Sequence, residues 1–166
     1  MEILKARLQK ITIYLSKSKG ITFVFLITSL LYLVSISCNI VLGFIEQKDL
    51  IFVNFHGKEN SIVFLFIAPI ILAPIVETFL GQSLPYYLLK KFSYMNGRNY
   101  LVITASALFF GLLHFYSLFY IIYAFLLGLV LSYGYVVRIR YDKNAFLLIA
   151  VCHALLNAGI LIRNLI

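Results

Sequence analysis

The sequence predicts an all-α protein, a polytopic transmembrane helical bundle of about five spans. Composition is the first reason. Hydrophobic residues make up 63% of the 166 and charged residues 12%, where a soluble domain carries about a quarter charged residues. Patterning is the second: the apolar residues fall in runs that reach the roughly 20 residues a helix needs to cross a bilayer. The third is the placement of charge, because the basic residues gather at the ends of those runs. So much apolar surface cannot be hidden in one aqueous core of this length. In lipid the backbone must close its own hydrogen bonds, which favours helices.

Residues 3–15 set Ile3, Leu4, Leu8, Ile11 and Leu15 at helical spacing, with Lys5, Arg7, Gln9 and Lys10 interleaved. That is the pattern of a short basic amphipathic helix on a membrane surface, although a cytoplasmic extension of the first span fits the same residues. The first span is expected from about Ile21 to Ile45. It is far longer than the apolar core of a cleavable signal and lacks a small-x-small site, so it is expected to be retained. The second span runs from about Ile62 to Leu89 and contains Pro69, Pro74 and Pro85. Proline removes a backbone donor and clashes with the preceding turn, so a kink or local unwinding is expected there. The third span covers about Tyr100 to Tyr116, the fourth about Leu118 to Val137 and the fifth about Ala145 to Ile162. Residues 1–60 form an N-terminal part (amphipathic segment, first span and external loop), and residues 61–166 form a four-helix core.

With the N-terminus inside, Lys5, Arg7, Lys10, Lys17, Lys19, Lys90, Lys91, Arg98, Arg138, Arg140 and Lys143 are cytoplasmic, and Lys48, Lys58 and Arg163 are external. This asymmetry follows the positive-inside rule and predicts an integral membrane protein with a cytoplasmic N-terminus. The same placement assigns the +8 net charge to membrane lipid head groups and excludes nucleic acid as a partner. Glu46, Asp49 and Glu59 cluster in the first external loop, where His56 reads as solvated. Cys38 and Cys152 lie inside apolar runs and read as small buried hydrophobes, with no disulfide framework. The position of Cys152 beside His153 leaves a thiolate role open. Tyr86, Tyr87, Tyr116 and Tyr120, near span ends, read as interfacial aromatic belts.

Glu77 is the one acidic side chain inside any long apolar run, and His114 and His153 also lie inside such runs. A carboxylate at mid-bilayer costs about 2.5–3.5 kcal/mol on insertion scales, so these residues are expected to face a partner or a wet cavity. Singly, each histidine reads as a helix-bridging group and Glu77 as a proton-relay residue. Together, a carboxylate and two imidazoles on three spans are the groups needed to activate a water. Thr78 and Gln82 are four apart and share a face. Gly81, four after Glu77, permits close approach of another helix backbone. Phe110 and His114 are also four apart, as are His153 and Asn157. At 1.5 Å per residue the three ionisable groups sit at different depths, so convergence requires tilt or shifted boundaries.

These residues resemble the CAAX-protease and bacteriocin-processing (CPBP, or Abi) intramembrane endopeptidases. The family pattern is a Glu-Glu pair followed by three residues and Arg, then Phe-x-x-x-His, then His-x-x-x-Asn or Asp. Phe110 to His114 matches the second motif and His153 to Asn157 the third. Glu77 stands for the first Glu, while Thr78 and Gln82 replace the second Glu and the Arg. Neutralising both partners together avoids stranding one buried charge. The Thr78–Gln82 pair is expected to keep a polar contact and support the site's geometry.

The resemblance implies an intramembrane endopeptidase in which Glu77 and His114 hold and deprotonate a water. It places His153 and Asn157 at the scissile carbonyl, with Phe110 in support. Glu77, His114 and His153 would match the three-ligand set of a catalytic zinc, whereas Asn is a poor zinc ligand. Zinc and a metal-free glutamate mechanism both stay open. The implied substrate is a membrane-associated or lipidated peptide or a membrane protein, and family analogy suggests a bacterial inner membrane. Two further readings fit the same residues: a non-catalytic bacteriocin-immunity or interaction protein, and a small proton-coupled carrier using Glu77.

Overall fold

The computed structural model describes residues 2–44, 63–141 and 144–165. The external-loop residues Glu46, Lys48, Asp49, His56, Lys58 and Glu59, together with Lys143, lie outside the described residues. Helix α1 spans Glu2–Lys17 and α2 spans Gly20–Phe44. A continuous rod, α3, follows in four pieces: a π-helical stretch Val63–Leu72, an α-helical turn Ala73–Thr78, a second π stretch Phe79–Ser83 and an α-helical end Leu84–Leu89. After a 3-10 turn at Ser93–Met95 come α4 (Asn99–Leu112), α5 (Leu118–Arg138) and α6 (Ala145–Leu165). No strand occurs among the described residues. Among the described residues, four helices are long and apolar enough to cross a membrane, and α4 is a shorter apolar one.

Side-chain contacts fix the helix directions. At one end of the bundle Thr12 Oγ1 meets Tyr133 Oη at 2.8 Å, and Arg138 donates to the Ser18 carbonyl at 2.6 Å. Toward the other end Ser35 Oγ and Tyr123 Oη are 2.9 Å apart, so α2 and α5 are antiparallel. Helices α2 and α6 run parallel: Cys152 Sγ reaches the Val24 carbonyl, and Tyr32 Oη donates to the Leu155 carbonyl at 2.6 Å. Between them lies an apolar core of Phe23, Ile27 and Leu31 from α2, Leu131 and Tyr135 from α5, and Ile149 and Leu156 from α6. Large apolar side chains such as Ile21, Phe25 and Leu147 point outward. Apolar exposure on that scale belongs in lipid, not water.

One expectation changes and a second takes a specific form. The third span was expected to continue to Tyr116, but α4 stops at Leu112 and residues 113–116 form a turn. At 1.5 Å per residue its 14 residues cover about 21 Å, less than the roughly 30 Å hydrocarbon layer. The prolines of the second span do not break it. Pro69 lies inside a π stretch, in which each N–H reaches back five residues and the helix widens, and Pro74 and Pro85 sit in the first turns of the two α-helical pieces.

Candidate functional site

Glu77 leaves α3 from the short α-helical turn between the two π stretches, where the ladder changes register. In an i→i+5 ladder the carbonyl of residue 69 would be met by the N–H of residue 74, which is proline and has none. Asn157 meets it instead, donating Nδ2 to the Pro69 carbonyl at 2.9 Å. This bond ties α6 to α3 one turn beyond His153.

The end of α4 places His114 by a similar exchange. The His114 backbone N–H bonds Gly111 O at 3.0 Å instead of continuing the α ladder to Phe110. The Phe110 carbonyl is met by His114 Nδ1 at 2.8 Å. A carbonyl only accepts, so Nδ1 carries the proton and Nε2 of the neutral ring is a bare acceptor. That Nε2 stands 3.5 Å from Glu77 Oε2, and His153 Nε2 stands 3.5 Å from the same oxygen. Such separations exceed the usual N–H···O distance, so the three groups converge without closing direct bonds. His153 is buried, and its Nδ1 has no hydrogen-bond partner among the described residues.

Phe110 sets the spacing of the rings, with its centroid 4.6 Å from that of His114 and 5.8 Å from that of His153. Two glycines hold it. A Cβ at Gly81 would lie 2.5 Å from Phe110 Cδ2, and one at Gly128 would lie 3.1 Å from Cδ1. Gly81 therefore makes room for an aromatic ring, where its position suggested room for a backbone. The expected contact between Thr78 and Gln82 is not formed. Both side chains are buried, and Thr78 Oγ1 and both polar atoms of the Gln82 amide lack hydrogen-bond partners among the described residues. The switch to π winding after Thr78 offsets the two side chains that an α-helix would have aligned.

The three groups open on a cavity of about 330 Å³, whose walls include Tyr120, Leu127, Leu131, Leu156 and Asn157. Tyr120, read from the sequence as part of an interfacial aromatic belt, packs its ring 5.8 Å from His114 and 5.3 Å from Tyr116. Tyr120 and Tyr123 are three apart on α5 and share a face visible in the sequence, and Tyr116 joins them from the turn before the helix. Only its direction was hidden. Cys152 points the opposite way, toward Val24 of α2, which removes it from this chemistry.

Each Glu77–His separation suits two ligands of one ion, since bonds of about 2.0–2.2 Å at tetrahedral angles set donors about 3.4 Å apart. Among the described residues, however, no three His, Cys, Asp or Glu side chains form a group able to hold a metal. The donors fit an ion in pairs but not, among the described residues, as a set of three.

The family described as "Type II CAAX prenyl endopeptidase Rce1-like" matches residues 59–159, more than half of the chain. No curated protein and no solved structure matches it.

Proposed function

The chain belongs to the type II CAAX prenyl endopeptidase Rce1-like family, and from that premise we propose that Glu77, His114, His153 and Asn157 hydrolyse a peptide bond inside the bundle. The family and the apolar helices make it an integral membrane protein of intramembrane endopeptidase type acting on a peptide in a membrane context. The observation that carries the residue assignment is the convergence of two imidazole Nε2 atoms on one Glu77 oxygen at 3.5 Å.

In this reading a water donates one hydrogen to Glu77 Oε2 and the other to the bare Nε2 of His114. Glu77 takes the proton as the water oxygen attacks the scissile carbonyl. The developing oxyanion accepts from His153 Nε2–H and from the Asn157 amide hydrogen not engaged by Pro69. The tetrahedral intermediate collapses with cleavage of the C–N bond, and the proton passes from Glu77 to the leaving amine. One water is consumed, and a carboxylic acid and an amine are released. Thr78 and Gln82 act by filling space beside Glu77.

The test is turnover of a fluorescence-quenched lipidated peptide by the protein in lipid vesicles, with products read by mass spectrometry. Glu77→Gln is expected to lower kcat by about 10²–10⁴-fold, the usual contribution of a positioned base. Dialysis against a chelator is expected to leave kcat unchanged. Full activity of Glu77→Gln would overturn the assignment, and loss of activity on chelation restored by zinc would overturn the metal-free step.

A further inference from the structure

We propose that the groove between α1 and α2 binds one anionic phospholipid, with an acyl chain against α2 and the phosphate at the basic edge of α1.

The two helices meet at the Ser18–Lys19 bend and enclose a groove of about 550 Å³. Its walls are Ile11 and Leu15 of α1 and Leu26, Ile27 and Leu30 of α2, and Lys10 and Tyr14 supply the polar side-chain atoms on its lining. Leu15 and Ile27 are buried and form the floor, whereas Ile11 and Tyr14 are exposed at the lip. The wall made by α1 is held from behind. On the opposite face of that helix Thr12 meets Tyr133 Oη at 2.8 Å, and Arg138 donates to the Ser16 carbonyl at 3.2 Å and the Ser18 carbonyl at 2.6 Å. Anchorage to α5 therefore sets α1 beside α2 before any ligand binds.

Charge and depth name the occupant. Lys10, Tyr14 and Lys17 are spaced by four and three residues, and Arg7 comes three before Lys10, so one stripe of α1 carries three cations along the lip. All four side chains are exposed. Leu26 to Leu30 lie about 9–15 Å along α2 from its start at Gly20, against about 15 Å for half of the hydrocarbon layer. The groove is one leaflet deep, with cations at head-group level. A peptide in it would press its backbone N–H and C=O groups against leucine and isoleucine walls that offer them no partner; an acyl chain has none to bury. A second copy docked about a two-fold axis would set the basic stripe against itself. A zwitterionic lipid fits the walls but forgoes the cations, each of which strengthens binding to an anionic head group about fivefold.

The chain has no tryptophan, so an introduced one reports alone. Leu30→Trp and Ile11→Trp place it on the two walls, and Phe25→Trp, exposed on another face of α2, is the control. Each protein is reconstituted in vesicles with increasing phosphatidylglycerol or phosphatidylcholine carrying brominated acyl chains, which quench indole on contact. We expect brominated phosphatidylglycerol to half-quench at least one groove reporter at a mole fraction at least fivefold below that of brominated phosphatidylcholine, with no preference at Phe25→Trp. Lys10→Gln combined with Lys17→Gln is expected to remove the preference, and Lys10→Arg combined with Lys17→Arg to keep it. Two reporters on different helices guard against one variant failing to fold, checked by its melting temperature. Equal quenching by the two lipids, the same preference at Phe25→Trp, or a preference that survives the double Gln change overturns the proposal. So do groove reporters that neither lipid quenches in folded protein, the result expected if a second copy covers the groove. These readouts do not involve turnover, so the lipid site and the endopeptidase reading fail or survive separately.

Discussion

Glu77 is tolerated at membrane depth because two imidazoles and a cavity surround it, with its side chain 29% exposed. Its neighbours Thr78 and Gln82 have no such relief. A buried amide without partners costs roughly 1–3 kcal/mol, so Gln82→Leu, which keeps the volume, is expected to raise the melting temperature of the protein in lipid. Gln82→Ala is expected to lower it, because a cavity replaces the side chain. If both variants melt lower, the amide has a bonding role. Gly81 poses the opposite problem. The 2.5 Å approach of a Cβ to Phe110 means that Gly81→Ala must displace the ring that packs against both His114 and His153. We expect kcat of the lipidated peptide to fall by at least tenfold, with a smaller change in KM.

At the scale of elements, the proline-rich rod is held in its π form from outside. Leu at position 157 would leave the part-buried Pro69 carbonyl unmet, at a cost of about 1 kcal/mol, the low end for an unsatisfied acceptor. Asn157→Leu is therefore expected to melt lower than the parent. Pro74→Ala returns an N–H five residues beyond Pro69, so in the Asn157→Leu background it is expected to recover part of that loss. A double-mutant cycle read by thermal melting checks this, and strictly additive effects would refute the link. The sequence expectation of a kink or local unwinding left the form open, and the rod takes π winding. Proline chemistry states which donors vanish, but not which neighbouring side chain replaces them.

Across the whole molecule, one cation joins the N-terminal segment to the core. Arg138 is 7% exposed, donates to the Ser16 carbonyl at 3.2 Å and the Ser18 carbonyl at 2.6 Å, and sits 5.3 Å from the Phe23 ring. Arg138→Met leaves those carbonyls without a charged donor, whose bonds contribute about 1.5–3 kcal/mol. Limited proteolysis in vesicles is expected to release α1 faster from that variant, and Arg138→Lys is expected to restore protection only in part, since an ammonium lacks the planar fork. On the far side, Gly159 lies against the Tyr32 ring. Gly159→Ala is expected to separate α2 from α6 and lower the melting temperature.

Much was legible before any coordinates. Helical character, the placement of long apolar helices and the singularity of Glu77, His114 and His153 all follow from local quantities: hydropathy over about 20 residues and the cost of burying charge. The early end of α4 was not legible, because Leu113 to Tyr116 are as apolar and aromatic as the helix before them. What stops the helix is a competing bond from the His114 ring to the Phe110 carbonyl. The direction of the Tyr120–Tyr123 face and the failed Thr78–Gln82 contact were likewise invisible. Sequence alone determined that a carboxylate and two imidazoles lie in long apolar runs, since that depends on neighbours along the chain. Tertiary structure alone decided that they meet within 3.5 Å, because depth, tilt and helix register are settled by packing between segments far apart in sequence.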